Sequence, residues 1–124
     1  MTLTFYKYQG TGNDFIIIDN FNQTAPPLTV GNIKQLCNRN FGIGADGLML
    51  LNKKDGVDFE MIYFNSDGNE SSMCGNGGRC LVKFAHLMGI HKSVYHFTAT
   101  DGEHFAEIES DGTVKLQMQQ VNSV

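Results

Sequence analysis

Glycine and asparagine most constrain what this 124-residue chain can fold into. It holds 14 Gly and 11 Asn, many of them in four short clusters rather than scattered. Both residue types tolerate positive φ and leave backbone groups exposed. The clusters are Gly10-Thr11-Gly12-Asn13-Asp14, the stretch from Asn38 to Gly47, Asn65-Ser66-Asp67-Gly68-Asn69-Glu70, and Gly75-Asn76-Gly77-Gly78. Regular elements must therefore be short and joined by tight turns. Such turns are where a small protein builds a site from backbone N–H groups.

The intervening segments read as strands and two helices. Leu3 to Tyr8 and Phe15 to Asp19 are β-branched and aromatic, flanking the first cluster. Asn20 to Pro27 reads as a loop. Thr29 is a plausible N-cap for a short helix with Val30, Ile33, Leu36 and Cys37 on one stripe. Leu48 to Leu51 and Val57 to Phe64 read as a strand pair joined through Lys53-Lys54-Asp55-Gly56, with Phe59, Met61 and Tyr63 on one face. Asn76 to Met88 places Cys80, Leu81, Phe84, Ala85, Leu87 and Met88 at helical spacing, and Gly89 suits the C′ position. Strands near 93–99, 104–108 and 113–119 follow, linked by Asp101-Gly102 and Asp111-Gly112, a strong hairpin signal. The order ββαββαβββ predicts an α+β domain with a largely antiparallel sheet packed on helices.

Composition excludes several classes. Apolar residues make up 41% of the chain, enough for one core, so disorder is not expected. Nine Lys+Arg against 13 Asp+Glu leave a net charge of −4, and no basic cluster is present to hold a nucleic acid. The longest apolar runs, Ile16 to Ile18 and Leu48 to Leu51, are far below the ~20 residues of a membrane helix. No basic segment followed by an apolar stretch opens the chain, so a cytoplasmic address is expected. Three cysteines without CxxC spacing read as reduced thiols, and a structural zinc site is not expected.

Two motifs fail on context. Gly42-Ile43-Gly44-Ala45-Asp46-Gly47 matches G-x-G-x-x-G, yet it follows a helix and opens a strand, the reverse of a dinucleotide site. Asn65 to Asn69 superficially resembles a calcium loop, but Gly stands at its fourth position instead of its sixth. Met73-Cys74-Gly75-Asn76-Gly77-Gly78-Arg79-Cys80 is stronger. The first N–H groups of the helix have no intrahelical partner, and its glycines let a ligand reach the backbone. That makes an anion pocket suited to a carboxylate, with a cysteine whose reactive thiolate is favoured. Cys37 and Cys80 lie on apolar helical stripes and are expected in the core. The four histidines form no i, i+3 or i, i+4 pair and are expected at the surface or satisfied locally.

Taken together, Tyr8-Gln9-Gly10-Thr11-Gly12-Asn13-Asp14-Phe15, Phe41 to Gly47, Asn65-Ser66-Asp67-Gly68 and Met73 to Cys80 resemble the N-terminal lobe of diaminopimelate epimerases. The resemblance implies two similar lobes, each a mainly antiparallel sheet wrapped around a central helix, with substrate in the cleft between them. It implies a cofactor-independent isomerase that interconverts LL- and meso-diaminopimelate, a step of lysine and peptidoglycan biosynthesis. One cysteine from each lobe works as acid or base on opposite faces of the α-carbon. Carried over by motif, Cys74 is the catalytic thiol, and Asn13, Asn65, Gly75 and Asn76 bind the amino-acid substrate.

Residues 1–118 would form the first lobe, and residues 119–124 would begin the crossover to a second lobe that the chain lacks. The isolated lobe is then expected to be inactive. The partners implied are the substrate, the missing lobe and, as a variant, a second copy in a homodimer pairing two Cys74 thiols. Two alternatives are a non-catalytic binding module on the same scaffold and a related reaction such as proline racemisation. Proline racemases typically have His where Asn76 stands. One departure concerns Gly47, where the family often has a Gln that helps hold substrate.

Overall fold

The computed structural model describes residues 3–10, 12–72 and 75–118. Its elements run β1 (Tyr6–Gln9), β2 (Asp14–Asn20), α1 (Val30–Cys37), β3 (Gly47–Asn52), β4 (Phe59–Asn65), β5 (Glu70–Ser71), α2 (Gly75–Leu87), β6 (Tyr95–Ala99), β7 (Gly102–Ile108) and β8 (Val114–Met118). The strands form one sheet in the order β1-β2-β3-β4-β6-β7-β8, with the two-residue β5 added to β4.

Hairpins account for most of the antiparallel pairing. The first cluster joins β1 to β2, Asp101 and Gly102 sit at the β6–β7 turn, and Asp111-Gly112 lies between β7 and β8. Two pairings are parallel, β2 with β3 and β4 with β6. Each is bridged by a helix, α1 or α2, because a chain can return in the same direction only through a long crossover. The sheet is therefore mixed, more so than hairpin signals alone suggest.

Helix α2 is the centre of the fold. Leu81, Val82, Phe84 and Ala85 are all completely buried. A helix lying on a flat sheet buries one stripe, whereas here adjacent residues are enclosed. Tyr6 and Tyr8 of β1 pack on the Phe84 ring, at 4.9 and 5.8 Å between centroids, while Val114 of β8 belongs to the same core. Both outer strands thus reach the helix, and the sheet curls around it. The outer layer is thinner: Ile33 and Cys37 of α1 cover Ile16, Ile18 and Leu48 from the other face.

Helix ends follow the sequence closely. Thr29 and Asn32 make a reciprocal capping box, the Thr29 hydroxyl accepting from the Asn32 amide at 3.0 Å and the Asn32 side chain accepting from Thr29 N–H at 3.2 Å. Gly89, at φ +102°, closes α2: its N–H donates to the His86 carbonyl, and that of Ile90 to the Ala85 carbonyl. This is a Schellman motif.

Three residues of the expected apolar stripes are exposed. Val30 is 53% exposed, Leu87 62% and Met88 38%. Val30 stands at the start of α1, and Leu87 and Met88 stand where α2 emerges from the sheet. Spacing assigns a face but not where that face runs out of cover. His104 departs in the opposite sense. It is fully buried, with Nε2 2.8 Å from Asp101 Oδ1 and Nδ1 without a hydrogen-bond partner.

Candidate active site

The site lies where α2 begins. Gly75 is the first helical residue and Asn76 the second, so the opening N–H groups of the helix are the local donors. Opposite them is the turn between β1 and β2. The Gly10 N–H donates to the Asn13 carbonyl at 2.8 Å and the Asn13 N–H to the Gly10 carbonyl at 3.3 Å, closing a tight loop with Gly12 at φ +80°. A Cβ on Gly10 would sit 3.2 Å from Asn76 Cβ and 3.4 Å from Cys80 Sγ. Only a glycine lets the turn approach the helix this closely without displacing a neighbour.

That approach brings two asparagines into contact. Asn76 Nδ2 donates to Asn13 Oδ1 at 2.8 Å across 63 residues of sequence. Asn13 Nδ2 in turn donates to Asp46 Oδ2 at 3.3 Å, and the same oxygen accepts from the Asp14 N–H at 3.0 Å. With a carboxylate taking its NH₂ and an amide donating to its oxygen, the Asn13 side chain has one orientation that satisfies both ends.

Charge fixes Asp46 from the outside. Arg39 holds Asp14 with two donors, at 3.1 and 2.9 Å, and Asp46 Oδ1 with Nη2 at 3.1 Å, while Lys7 Nζ lies 3.2 Å from Asp14. Arg39, ahead of Lys7, holds the Asp14 carboxyl well below the usual carboxylate range, against the opposing pull of partial burial. The Asp46 N–H also donates to the Asp14 carbonyl at 2.9 Å and to Asp14 Oδ1 at 3.1 Å. The glycine-rich segment that failed as a dinucleotide motif therefore has a structural task. It wraps α1 and delivers Asp46 to the turn, and Gly42 is needed because a Cβ there would meet the Gln35 carbonyl oxygen.

Beside these residues opens a cleft of about 540 Å³, lined among others by Tyr8, Gln9, Gly10, Asn76, Arg79 and Lys83. Arg79 folds back over the helix start: a Cβ on Gly75 would lie 3.3 Å from its Nη1. A guanidinium and a helix N-terminus together give this corner a positive potential suited to a carboxylate.

Asn13 and Asn76 are joined directly, and Gly75 opens the same helix. Asn65 stands apart from them. It ends β4, opposite Gly47, and its exposed side chain makes no hydrogen bond to Asn13 or Asn76. It starts a turn in which the Gly68 N–H donates to its carbonyl at 2.9 Å. Cys74, with Thr11, Met73 and residues 119–124, lies outside the described residues. Cys37 and Cys80 are buried, as their stripes predicted, and burial pushes the Cys37 thiol up. Sequence reasoning missed Asp46, Asp14 and Arg39. Their only mark was an acidic residue beside each of two glycine clusters.

Among the described residues, no group of three or more His, Cys, Asp or Glu could hold a metal ion, and no helix is long and apolar enough to cross a membrane. The family model described as diaminopimelate epimerase matches residues 5–124. Over 122 residues the chain is 54% identical to diaminopimelate epimerase of Flavobacterium psychrophilum, covering 98% of this chain and 48% of that protein. Over 120 residues it is 48% identical to the Synechocystis enzyme of the same name, covering 95% and 43%. The chain thus spans a little under half the length of these relatives. Among solved structures, a hydroxyproline epimerase from Agrobacterium vitis shares the fold, with TM-score 0.66 at 14% identity over 92% of this chain and 40% of that one. A mixed sheet curled around a helix, its glycine-rich turns gathered at the helix start, and a family model matched along almost the whole chain place this protein in the diaminopimelate epimerase family.

Proposed function

We propose that this chain is the N-terminal lobe of a cofactor-independent epimerase that interconverts LL- and meso-diaminopimelate. The observation that carries the reading is the bonded set Asn76–Asn13–Asp46 at the start of α2, in which Asn76 stands two residues after Cys74 in sequence. Names of relatives at 48–54% identity supply the substrate.

The chemistry needs two things from the lobe. A base must take the α-proton, and something must stabilise the charge that then moves onto the α-carboxylate. In this reading the Cys74 thiolate takes the proton, becoming a thiol. The N–H groups opening α2, with Arg79 beside them, stabilise the enediolate in place before it forms. A thiol from the second lobe, absent from this sequence, then delivers a proton to the opposite face and becomes the thiolate. Neither Cys37 nor Cys80 suits that second role, because both are buried in the lobe itself. Asn13, Asn76 and Asn65 supply amide donors and acceptors that distinguish substrate from analogues lacking partners for them.

Deuterium exchange at the α-carbon tests this. The complete gene product, in deuterated water with diaminopimelate, exchanges its α-proton; Cys74→Ala lowers the rate at least about a thousandfold. The isolated chain exchanges negligibly. Turnover by the isolated chain at the rate of the complete protein overturns the half-site account, and full activity of Cys74→Ala overturns the role of the thiol.

A further inference from the structure

Strand β4 pairs with β3 along one edge, and two partners share the other. Near its start Phe59 and Glu60 face Phe97 and Thr98 of β6. Near its end Tyr63 and Phe64 face Ser71 and Glu70 of β5. The β6–β7 turn falls at the junction of these partners, where the Thr100 hydroxyl donates to the Ser71 carbonyl at 3.3 Å. Ser71 ends β5, and Cys74 follows three residues later, joined directly to Gly75 at the start of α2. A strand of two residues has little hold of its own, so this contact bears on where it sits.

A histidine ties the same turn to the core. His104 Nε2 donates to Asp101 Oδ1 at 2.8 Å. Its ring stacks on Phe97 at 5.3 Å, and Phe97 stacks on Phe59 at 4.8 Å. Rings from β4 and β6 thus hold the imidazole, which is fully buried, and its Nδ1 has no hydrogen-bond partner. Packing does not account for a histidine here. A phenylalanine would complete the same stack without burying an unpaired nitrogen. What the imidazole adds is the bond to Asp101.

We propose that His104 is a positioning residue for the proton-transfer thiol. Through Asp101 it sets the β6–β7 turn, and through Thr100 the turn sets Ser71 and the chain that enters Cys74. This rests on the epimerase reading above. The thiolate must stand in line with the α-proton, and a misplacement of about 1 Å can cost up to about a hundredfold in rate. Asn76 and Asn13 are held through Asp46, not by this turn, so binding survives its loss while the chemical step suffers.

The test is His104→Phe in the complete gene product, which keeps the stack and removes the bond to Asp101. For α-proton exchange of diaminopimelate, kcat falls about tenfold and KM stays within about twofold. The denaturation midpoint stays level or rises, since the unpaired nitrogen is gone. A residue that only supports the fold would not lower kcat while stability is kept. Thr100→Val, on the exposed turn, tests the same link without touching the core. It lowers kcat in the same way, whereas Thr100→Ser keeps the hydroxyl and holds kcat within about twofold of wild type. Wild-type kcat in His104→Phe or in Thr100→Val overturns the proposal and leaves the epimerase reading intact. So does an equal loss of kcat in Thr100→Ser and Thr100→Val, or a kcat that drops only in step with the midpoint. Absence of α-proton exchange by the wild-type protein overturns both.

Discussion

The two ends of α2 are built on different principles. At the C-terminal end, Gly89 closes the helix, Ile90 and His86 take the Tyr95 hydroxyl, and His91 lies 3.0 Å from the His86 carbonyl. Every partner there is within ten residues of the other in sequence. At the N-terminal end, Asn76 meets Asn13 across 63 residues, Asn13 meets Asp46 across 33, and Arg39 reaches Asp14 across 25. One end is a local stop signal. The other exists only because the curled sheet, the wrapped loop and the helix arrive together, and it is there that the proposed substrate site lies.

The comparison can be broken most severely through the glycines that let loops dock. Gly42→Ala would drive a Cβ into the Gln35 carbonyl, a backbone atom with little freedom to yield. The expected loss is about 3 kcal/mol or more in chemical denaturation. Gly89→Ala at the other end faces open space and carries only the strain of φ +102°, so about 1 kcal/mol is expected. Equal losses at the two positions would remove the distinction between docked and merely turned glycines.

Next in size is Asp46→Asn. It replaces the acceptor that fixes the Asn13 amide with a group that can present either atom, so Asn13 loses its single orientation. Diaminopimelate binding to the complete protein should weaken about tenfold, measured by calorimetry, while the fold loses about 1 kcal/mol. Unchanged affinity would reduce Asp46 to a loop anchor. Tyr95→Phe sharpens the other side. It removes a local hydrogen bond, lowers stability by about 1 kcal/mol and leaves substrate affinity alone.

The smallest effect is on acid stability. The Asp14 carboxyl is held below its ordinary value, chiefly by Arg39. A carboxyl depressed in the folded state contributes stability above its unfolded pKa of about 3.9, and that contribution is lost as pH falls further. Urea midpoints should therefore begin to drop below about pH 4 in the wild type. In Asp14→Asn this part of the decline should be missing, and the two proteins should converge at the lowest pH. Parallel curves across that range would exclude Asp14 as its source.

How much was legible beforehand follows the same division. The Thr29 cap, the Gly89 stop, the turns at Asp101-Gly102 and Asp111-Gly112 and the buried stripe of α2 are local codes, satisfied by residues a few positions apart. The parallel pairings were not legible, because periodicity gives a strand's face but not its neighbour's direction. Burial of Val82 beside Leu81 was likewise hidden until the sheet was seen to close around the helix. At the site, Asn13, Asn76 and Gly75 stood out through motif resemblance. Asp46 stood inside a quoted motif and Arg39 in none, but neither was given a role, and only their placement shows what they hold.

By itself, the sequence determined where elements start and stop, which residues are apolar enough to be enclosed, and which family the chain resembles. These depend on backbone propensity and on side chains within a turn or two of one another. The tertiary structure alone decided which glycines are docking points, which carboxylate orients Asn13, and which turn braces Ser71. Those depend on separations of 7 to 63 residues, closed by a wrapped loop and a curled sheet whose register no local signal encodes.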